Sequence, residues 1–374
     1  MLDLKELGSR LAKVDHLLVN VLGMRMKLAL QVGEYKTLKR EPIYRAEVEE
    51  NRLNQVGEWA KTQGLNPRFA QSVLYLAIDE SCKVQMIRLQ QEQENIGNAE
   101  KDGEAHYQEL KEGLLRLTEK TALAYDDGYC TSYPATRLYL DFEDRLLADE
   151  IDLLDDKGFA VDIGCATGRK TIDLAGKFER VIGYDISPHM IERACARIGN
   201  MKLRGINFET LDVEGGLPER KNSASLVVMN FGTAGDLRNT KDVLREMERI
   251  LRPGGKAFLS FYNRDALVYR LGFIPWTTGL AAEVNHARHC LDVHFCGEVF
   301  QIYAQAYSAD EVNDLLPPGL QIIRRVTYPT LASLLPPEVF EQTSMLQMVD
   351  KVDTGLAEQE TFGAYLLIVA KKAQ

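Results

Sequence analysis

The chain has 374 residues, 45% of them apolar and 27% charged, with 45 Lys and Arg against 55 Asp and Glu and a formal charge of −10. That length exceeds what one hydrophobic core usually holds, so two domains are expected. The acidic excess argues against non-specific nucleic-acid binding, and no apolar run reaches the roughly 18 residues of a membrane span.

Six cysteines, at 82, 130, 165, 195, 290 and 296, are scattered with no CxxC pair, which predicts reduced thiols rather than a disulfide framework. Asp3, Lys5, Glu6 and Arg10 interrupt the opening residues, unlike a secretory signal, so a cytoplasmic protein is expected.

Residues 2–36 carry Leu4, Leu7, Leu11, Val14, Leu18, Val21, Leu22, Leu28 and Val32 at helical spacing. A helix that long cannot bury its stripe within one small unit, so a homodimer through the N-terminal helices is expected. Residues 37–42 break the pattern. A second helix runs from about 43 to 63, Gly64-Leu65-Asn66-Pro67 turns, and a third spans about 68–91. Arg25 and Lys36 are three helical turns apart and share a side, as do Ser81 and Gln85 at i,i+4.

This arrangement, residues 1–94, resembles the all-helical chorismate mutase domain. The resemblance implies that Arg25, Lys36, Glu49, Ser81 and Gln85 line a substrate pocket gripping two carboxylates and an ether oxygen. Two positions depart from the family. Gly8 replaces the first-helix arginine that reaches into the partner's pocket, and Val48 replaces the second-helix arginine. Arg45 stands where the family has an aspartate and is the candidate replacement. A lost charged hydrogen bond costs roughly 1.5–3 kcal/mol of ligand binding. Three readings stay open for this domain: a working mutase, a pocket for a different carboxylate, and a dimerisation scaffold.

Residues 95–106 are polar apart from an isolated Ile96, contain two glycines and read as a linker. From Tyr107 to Tyr125 the helical period returns, with Leu110, Leu114, Leu117, Ala122 and Leu123 as the stripe. An aromatic, turn-rich segment follows, and then a helix to about Asp155.

Phe159, Ala160, Val161 and Ile163 form a short apolar run of the kind that makes a buried parallel strand. Gly164 and Gly168 allow a sharp turn and close approach of a ligand, and a helix opens after them. Val181-Ile182-Gly183-Tyr184 then ends in Asp185, where a carboxylate is placed to accept both hydroxyls of a ribose. The spacing Gly-x-x-x-Gly is not the dinucleotide fingerprint.

Val161-Asp162-Ile163-Gly164-Cys165-Ala166-Thr167-Gly168 resembles motif I of the class I S-adenosylmethionine-dependent methyltransferases. Ser187 to Ala194 resembles that family's second helix, and Arg249-Ile250-Leu251-Arg252-Pro253-Gly254-Gly255 the turn before its fifth strand. The resemblance covers about 105–374. The fold class it implies is α + α/β: a three-helix chorismate mutase-like domain, then a Rossmann-like seven-stranded methyltransferase domain at 107–374.

The cofactor implied is S-adenosyl-L-methionine. Motif I would bind it through Asp162, Gly164, Cys165, Ala166 and Gly168, and the second strand's end through Asp185 and Ile186. Asp212 with Val213, ending the third strand at Ile206 to Leu211, would take the adenine amino group. Asn230, Phe231 and Gly232, beyond the fourth strand at Leu226 to Asn230, would border the sulfonium. In the segment before motif I, Tyr129, Tyr133 and Arg137 are candidates for contacts to methionine or substrate; ordinary packing is the alternative for the tyrosines.

Residues 263–307 form an insertion over the minimal fold and are read as a lid. From Leu291 onward they alternate around Cys296-Gly297-Glu298, which predicts a β-hairpin with Asp292, His294 and Cys296 on one face. Three histidines and two cysteines gather here without tetrahedral metal spacings, so no metal is expected. His289 or His294, the latter oriented by Asp292, is the candidate catalytic base; packing histidines are the alternative. Near the C-terminus, Leu320 to Tyr328 and Ala364 to Ala370 read as an antiparallel pair resembling the family's last two strands.

The function expected is methyl transfer from S-adenosylmethionine to an O, N or C nucleophile of a small-molecule acceptor. The helical domain would supply the dimer and a carboxylate pocket. One alternative is a bifunctional chorismate mutase/methyltransferase, or an enzyme that uses prephenate to modify the cofactor. Another is a ligand-sensing protein with a vestigial cofactor site.

Overall fold

The structure is a computed structural model that describes residues 3–39, 45–96, 103–126, 134–199, 201, 203–270, 283–285, 289–295, 298–335, 339–340, 342–358 and 362–373. The chain divides into two compact units, residues 1–101 and 102–374.

The first unit has three helices: α1 Leu4–Lys39, α2 Ala46–Thr62 and α3 Pro67–Ile96. Helix α2 gives way to Gly64 at φ +68°, a left-handed position that suits a residue without Cβ. The next helix starts under the side chain of Asn66, which accepts from Arg68 N at 2.9 Å, with Pro67 first in the helix. Both α1 and α2 pack on α3. At 36 residues α1 is about 54 Å long, and its burial begins only at Leu22. Before that point Leu11 is 65% and Leu18 52% exposed.

The second unit is built on a sheet of order β10-β11-β5-β4-β1-β2-β3. The strands are β1 Phe159–Ile163, β2 Arg180–Asp185, β3 Ile206–Thr210, β4 Ala224–Met229, β5 Leu251–Asn263, β10 Leu320–Tyr328 and β11 Tyr365–Lys372. Strands β1 to β5 run parallel, and β11 runs antiparallel between its neighbours β5 and β10; a two-residue strand, β9 Ala306–Tyr307, also pairs with β5 in parallel. Every residue of β1 and β4 is buried, as expected of parallel strands covered on both faces.

Strand order reverses between β1, which leads on to β2 and β3, and β4 on its other side. Ligands bind beyond the carboxyl ends of such strands, at that reversal. Three crossover helices, α6 Arg169–Ala175, α7 Pro188–Ile198 and α8 Thr240–Ile250, support the sheet, and α5 Pro134–Asp152 buries one face against its core.

The insertion forms a second, small sheet of β6 Glu283–Asn285, β7 Cys290–Phe295 and β8 Glu298–Tyr303. Strands β7 and β8 are the expected hairpin, in register Leu291 to Ile302 and Phe295 to Glu298. Helix α4 Gly103–Thr121 lies directly on β8, because a Cβ on Gly113 would strike the carbonyl oxygen of Gln301.

Candidate functional sites

The turn after β1 is a left-handed cradle: Gly164, Ala166 and Gly168 all have positive φ, at +72°, +46° and +80°. The two glycines are required by the protein itself. A Cβ on Gly164 would lie 2.6 Å from Thr233 Cγ2, and one on Gly168 2.6 Å from Phe208 Cζ. Ala166 is held in its unusual conformation by Asp185, whose Oδ2 accepts from Ala166 N at 2.8 Å while Oδ1 accepts from Ser187 N at 2.9 Å. One carboxylate thus ties the cradle to the start of α7.

Beyond the ends of β1, β2 and β4 opens a cavity of about 250 Å³. Its walls near the sheet are acidic: Asp162, Asp185, Glu143 and Asp236 all border it. Burial pushes the Asp162 carboxyl up to about 7, against a hydrogen bond donated by Thr171 at 2.6 Å. It also pushes Asp236 up to about 8, opposed by the hydroxyl of Tyr262 at 3.0 Å. Asp185 and Glu143 are raised by burial as well. Glu143 accepts through Oε1 from Tyr139 Oη at 2.7 Å and Phe231 N at 2.9 Å. Its Oε2, and both polar atoms of Asn230, are buried without a hydrogen-bond partner among the described residues. Such orphaned groups are costly unless a ligand completes them.

The opposite wall is apolar. Leu110, Leu114 and Leu117 of α4 meet Leu291, Val293 and Ile302 of the small sheet across the cavity. At the rim, Lys111 on α4 pairs with Asp212, Tyr107 Oη donates to Glu214, and Arg238 pairs with Glu104 at 2.5 Å.

The helical unit has its own cavity of about 370 Å³, bordered by Arg25, Lys36, Arg45, Arg52, Glu49, Ser81 and Gln85. Arg25 donates to Ser81 Oγ and to the Ala77 carbonyl. Burial lowers the Lys36 ammonium and raises the Cys82 thiol to about 11. Gln85 Oε1 is buried without a partner among the described residues.

Residues 160–255 match the methyltransferase domain family, and residues 7–86 match chorismate mutase type II. The chain carries a chorismate mutase type II domain and a methyltransferase domain. Among curated proteins, it is 34% identical over 120 residues to a demethylmenaquinone methyltransferase of Lactococcus lactis, covering 30% of this chain and 46% of that one. It is 31% identical over 126 residues to one of Bacillus cereus, covering 31% and 49%. The chain spans about half the length of the curated relatives it matches. A putative S-adenosylmethionine-dependent methyltransferase structure from Listeria monocytogenes aligns with TM-score 0.45 at 17% identity, covering 63% of this chain and 99% of that one.

Within the methyltransferase domain, Asp162, Gly164, Cys165, Ala166, Asp185, Ile186, Asp212, Val213, Asn230 and Phe231 all border the cavity. Gly168 and Gly232 do not line it. Gly168 packs on Phe208, and a Cβ on Gly232 would lie 2.7 Å from the Tyr262 ring. Tyr129 and Tyr133 lie outside the described residues. Arg137 is exposed, heading the outward stripe of α5 that continues through Asp141, Arg145 and Asp149 at four-residue intervals. His289 sits exposed in the turn before β7, φ +50°, its ring centroid 6.4 Å from that of Tyr303, and does not border the cavity. His294 lies on β7, and its side chain is outside the described residues; its neighbour Asp292 accepts from Gln301 Nε2 at 2.9 Å.

The mutase-type domain gathers Arg25, Lys36, Arg45, Glu49, Ser81 and Gln85 around one cavity. Sequence reasoning missed Arg52, which borders the same cavity 3.4 Å from Glu49. The signal was available, since Arg52 stands one helical turn beyond Val48 and therefore on the same face. In the methyltransferase domain it missed Glu143, a carboxylate on the apolar face of α5, and Asp236, which lies in a loop without periodicity.

Lys111 occupies the carboxylate that the resemblance assigns to adenine. A half-exposed pair of this kind is worth about 0–1 kcal/mol, so Lys111→Met is expected to raise S-adenosylmethionine affinity by up to about fivefold. Calorimetry checks this; a fall in affinity would mean that the lysine itself holds the cofactor.

Proposed function

We propose that this chain transfers the methyl group of S-adenosylmethionine to an apolar small-molecule acceptor. The observation that carries the reading is a single cavity at the strand reversal with an acidic, partly orphaned wall on one side and an aliphatic wall on the other. Bound there, the cofactor would supply an activated methyl group to a nucleophile of the acceptor, with the neutral thioether as leaving group. The protein's part is to hold and align. The cradle at Gly164 to Gly168 and Asp185 face the nucleoside side, while Asn230 and Glu143 offer unpaired amide and carboxylate atoms to the amino-acid end.

The aliphatic wall of α4 and β7–β8 excludes water and selects an acceptor with little polar surface; the curated relatives are named for demethylmenaquinone as theirs. Titration calorimetry with S-adenosylmethionine tests the reading. Saturable binding with one site per chain is expected, and no heat at millimolar ligand would remove the cofactor.

For the mutase-type domain we propose a pocket for a carboxylate ligand within a homodimer. Arg52 and Arg45 restore cationic character that Val48 and Gly8 lack, and the long exposed stripe of α1 is suited to a second copy of the same helix. Chorismate depletion by the full chain tests whether the pocket is catalytic, and sedimentation tests the dimer; a monomer at micromolar concentration would overturn it.

A further inference from the structure

The product of methyl transfer differs from the donor in one property above all. S-adenosylmethionine carries a positive sulfur, whereas S-adenosylhomocysteine carries a neutral thioether. A buried, carboxylate-lined cavity is therefore faced with two ligands of similar shape and different charge. Burying an uncompensated charge is costly, so the state of the carboxylates decides which ligand fits.

The acids around this cavity are not equally able to respond. Asp185 has both oxygens occupied by backbone N–H groups, which favour its ionised form. Glu143 accepts two hydrogen bonds on one oxygen and has Lys170 as its strongest compensating charge. Asp162 takes a hydroxyl from Thr171 and has the Arg169 guanidinium as a compensating charge. Asp212 is paired with Lys111.

Asp236 differs. It lies seven residues past the last residue of β4, on the short turn that also presents Asn230 and Thr233 to the cavity. Among the described residues a single side-chain donor reaches its carboxylate, the hydroxyl of Tyr262 on β5. Two glycines make room for that ring: a Cβ on Gly232 or Gly235 would come within 2.7 Å or 2.6 Å of it. The titratable groups facing Asp236 are Tyr262 from β5 and the Asp185 carboxylate from the end of β2, and no cation faces it among the described residues. An independent sign that a polar ligand belongs here is the buried, unpartnered Oε2 of Glu143, a residue with 0% exposure that borders the same cavity.

We propose that Asp236 is the residue by which this site reads the charge on the cofactor's sulfur. It is ionised when the cationic methyl donor is bound and protonated when the neutral product is bound. This rests on the cofactor reading above. The consequence is specificity: donor binding expels a proton from Asp236, and loss of the positive charge on transfer leaves an ionised carboxylate without its counter-charge until it takes a proton back. Burial holds Asp236 at about 8 in the ligand-free protein, so at neutral pH it is mostly protonated and able to respond. The sign follows. Donor affinity rises as pH increases toward and through 8 and then levels, because less work is needed to ionise the carboxyl. Product affinity is nearly flat below 8 and falls above it, where binding must return a proton to the carboxylate.

The test is titration calorimetry on the full chain at pH 7, in two buffers of different ionisation heat, with three probes. These are S-adenosylmethionine, S-adenosylhomocysteine, and sinefungin, which places a protonated amine where the sulfonium stands. Release of about one proton is expected with the first and third and close to none with the second. In Asp236→Asn, which keeps the side chain's shape, the release falls to near zero and the preference for donor over product narrows by about tenfold. Tyr262→Phe removes the hydroxyl that favours the ionised form, so the rise in donor affinity moves to higher pH. A variant that only disturbed packing would weaken all three ligands together and leave the pH dependence in place. Proton release that persists in Asp236→Asn, or that is equal for S-adenosylhomocysteine, overturns the assignment. Donor binding without proton release does the same while leaving the cofactor reading intact. No binding of any probe removes both.

Discussion

Asp185→Ala is expected to lower S-adenosylmethionine affinity at least about a hundredfold and to unfold more readily even without ligand. The reason lies in the two jobs of this carboxylate. It borders the cofactor cavity, and it joins the cradle to α7 through Ala166 N and Ser187 N, at 2.8 and 2.9 Å. Hydrogen bonds to a charged acceptor are worth roughly 1.5–3 kcal/mol each, and with the Asp185 bond gone the turn around Ala166 is closed by Gly168 N on the Cys165 carbonyl at 2.9 Å, a weaker hold on its positive φ. The cradle then relaxes, so the nucleoside loses its carboxylate and the turn that faces it together. Asp185→Asn should fall between the wild type and alanine, because its amide keeps one acceptor and turns an N–H group toward the other backbone donor. Calorimetry gives the affinity and thermal unfolding of the apo chain gives the stability. A folded alanine variant with wild-type affinity would sink the assignment of Asp185.

How far such a site can be read from sequence depends on the length scale of the signal. Strands β1 and β4 were legible because a strand covered on both faces shows as an unbroken apolar run, and the end of such a run marks the ligand edge of the sheet. The hairpin β7–β8 was legible from its alternation. Strand β6 was not, since three residues, Glu283–Asn285, carry too little pattern. Glu143 could have been found as an acid at core spacing on α5, and Arg52 as a cation one turn past Val48. Asp236 left no trace, because its meaning comes from Tyr262, 26 residues later and on another element. The rim pairs of α4 were hidden for the same reason: Lys111 and Asp212 are 101 residues apart and meet only in the fold.

The glycines of the cradle show a subtler limit. Their positive φ was readable, but the cause assigned to Gly168, room for a ligand, differs from what the structure shows, which is the Phe208 ring 2.6 Å and Ala194 Cβ 3.0 Å from a built Cβ. The two causes predict different behaviour. Gly168→Ala is expected to destabilise the methyltransferase domain by about 2–4 kcal/mol, about 1 of it from the left-handed backbone and the rest from overlap with the ring. Phe208→Leu removes the ring atoms that an alanine would strike. The double variant should therefore be more stable than the sum of the singles predicts, with a coupling of at least about 1 kcal/mol. Gly168 does not border the cavity, so the double variant should also bind S-adenosylmethionine within about threefold of Phe208→Leu alone. Urea unfolding of the four proteins, followed on the transition that the cofactor shifts upward, measures the coupling. Additive stabilities would show that the ring is not the obstacle. Recovered stability with lost cofactor binding would instead return Gly168 to the ligand, since only a group facing the cofactor can lose affinity after its own packing has been repaired.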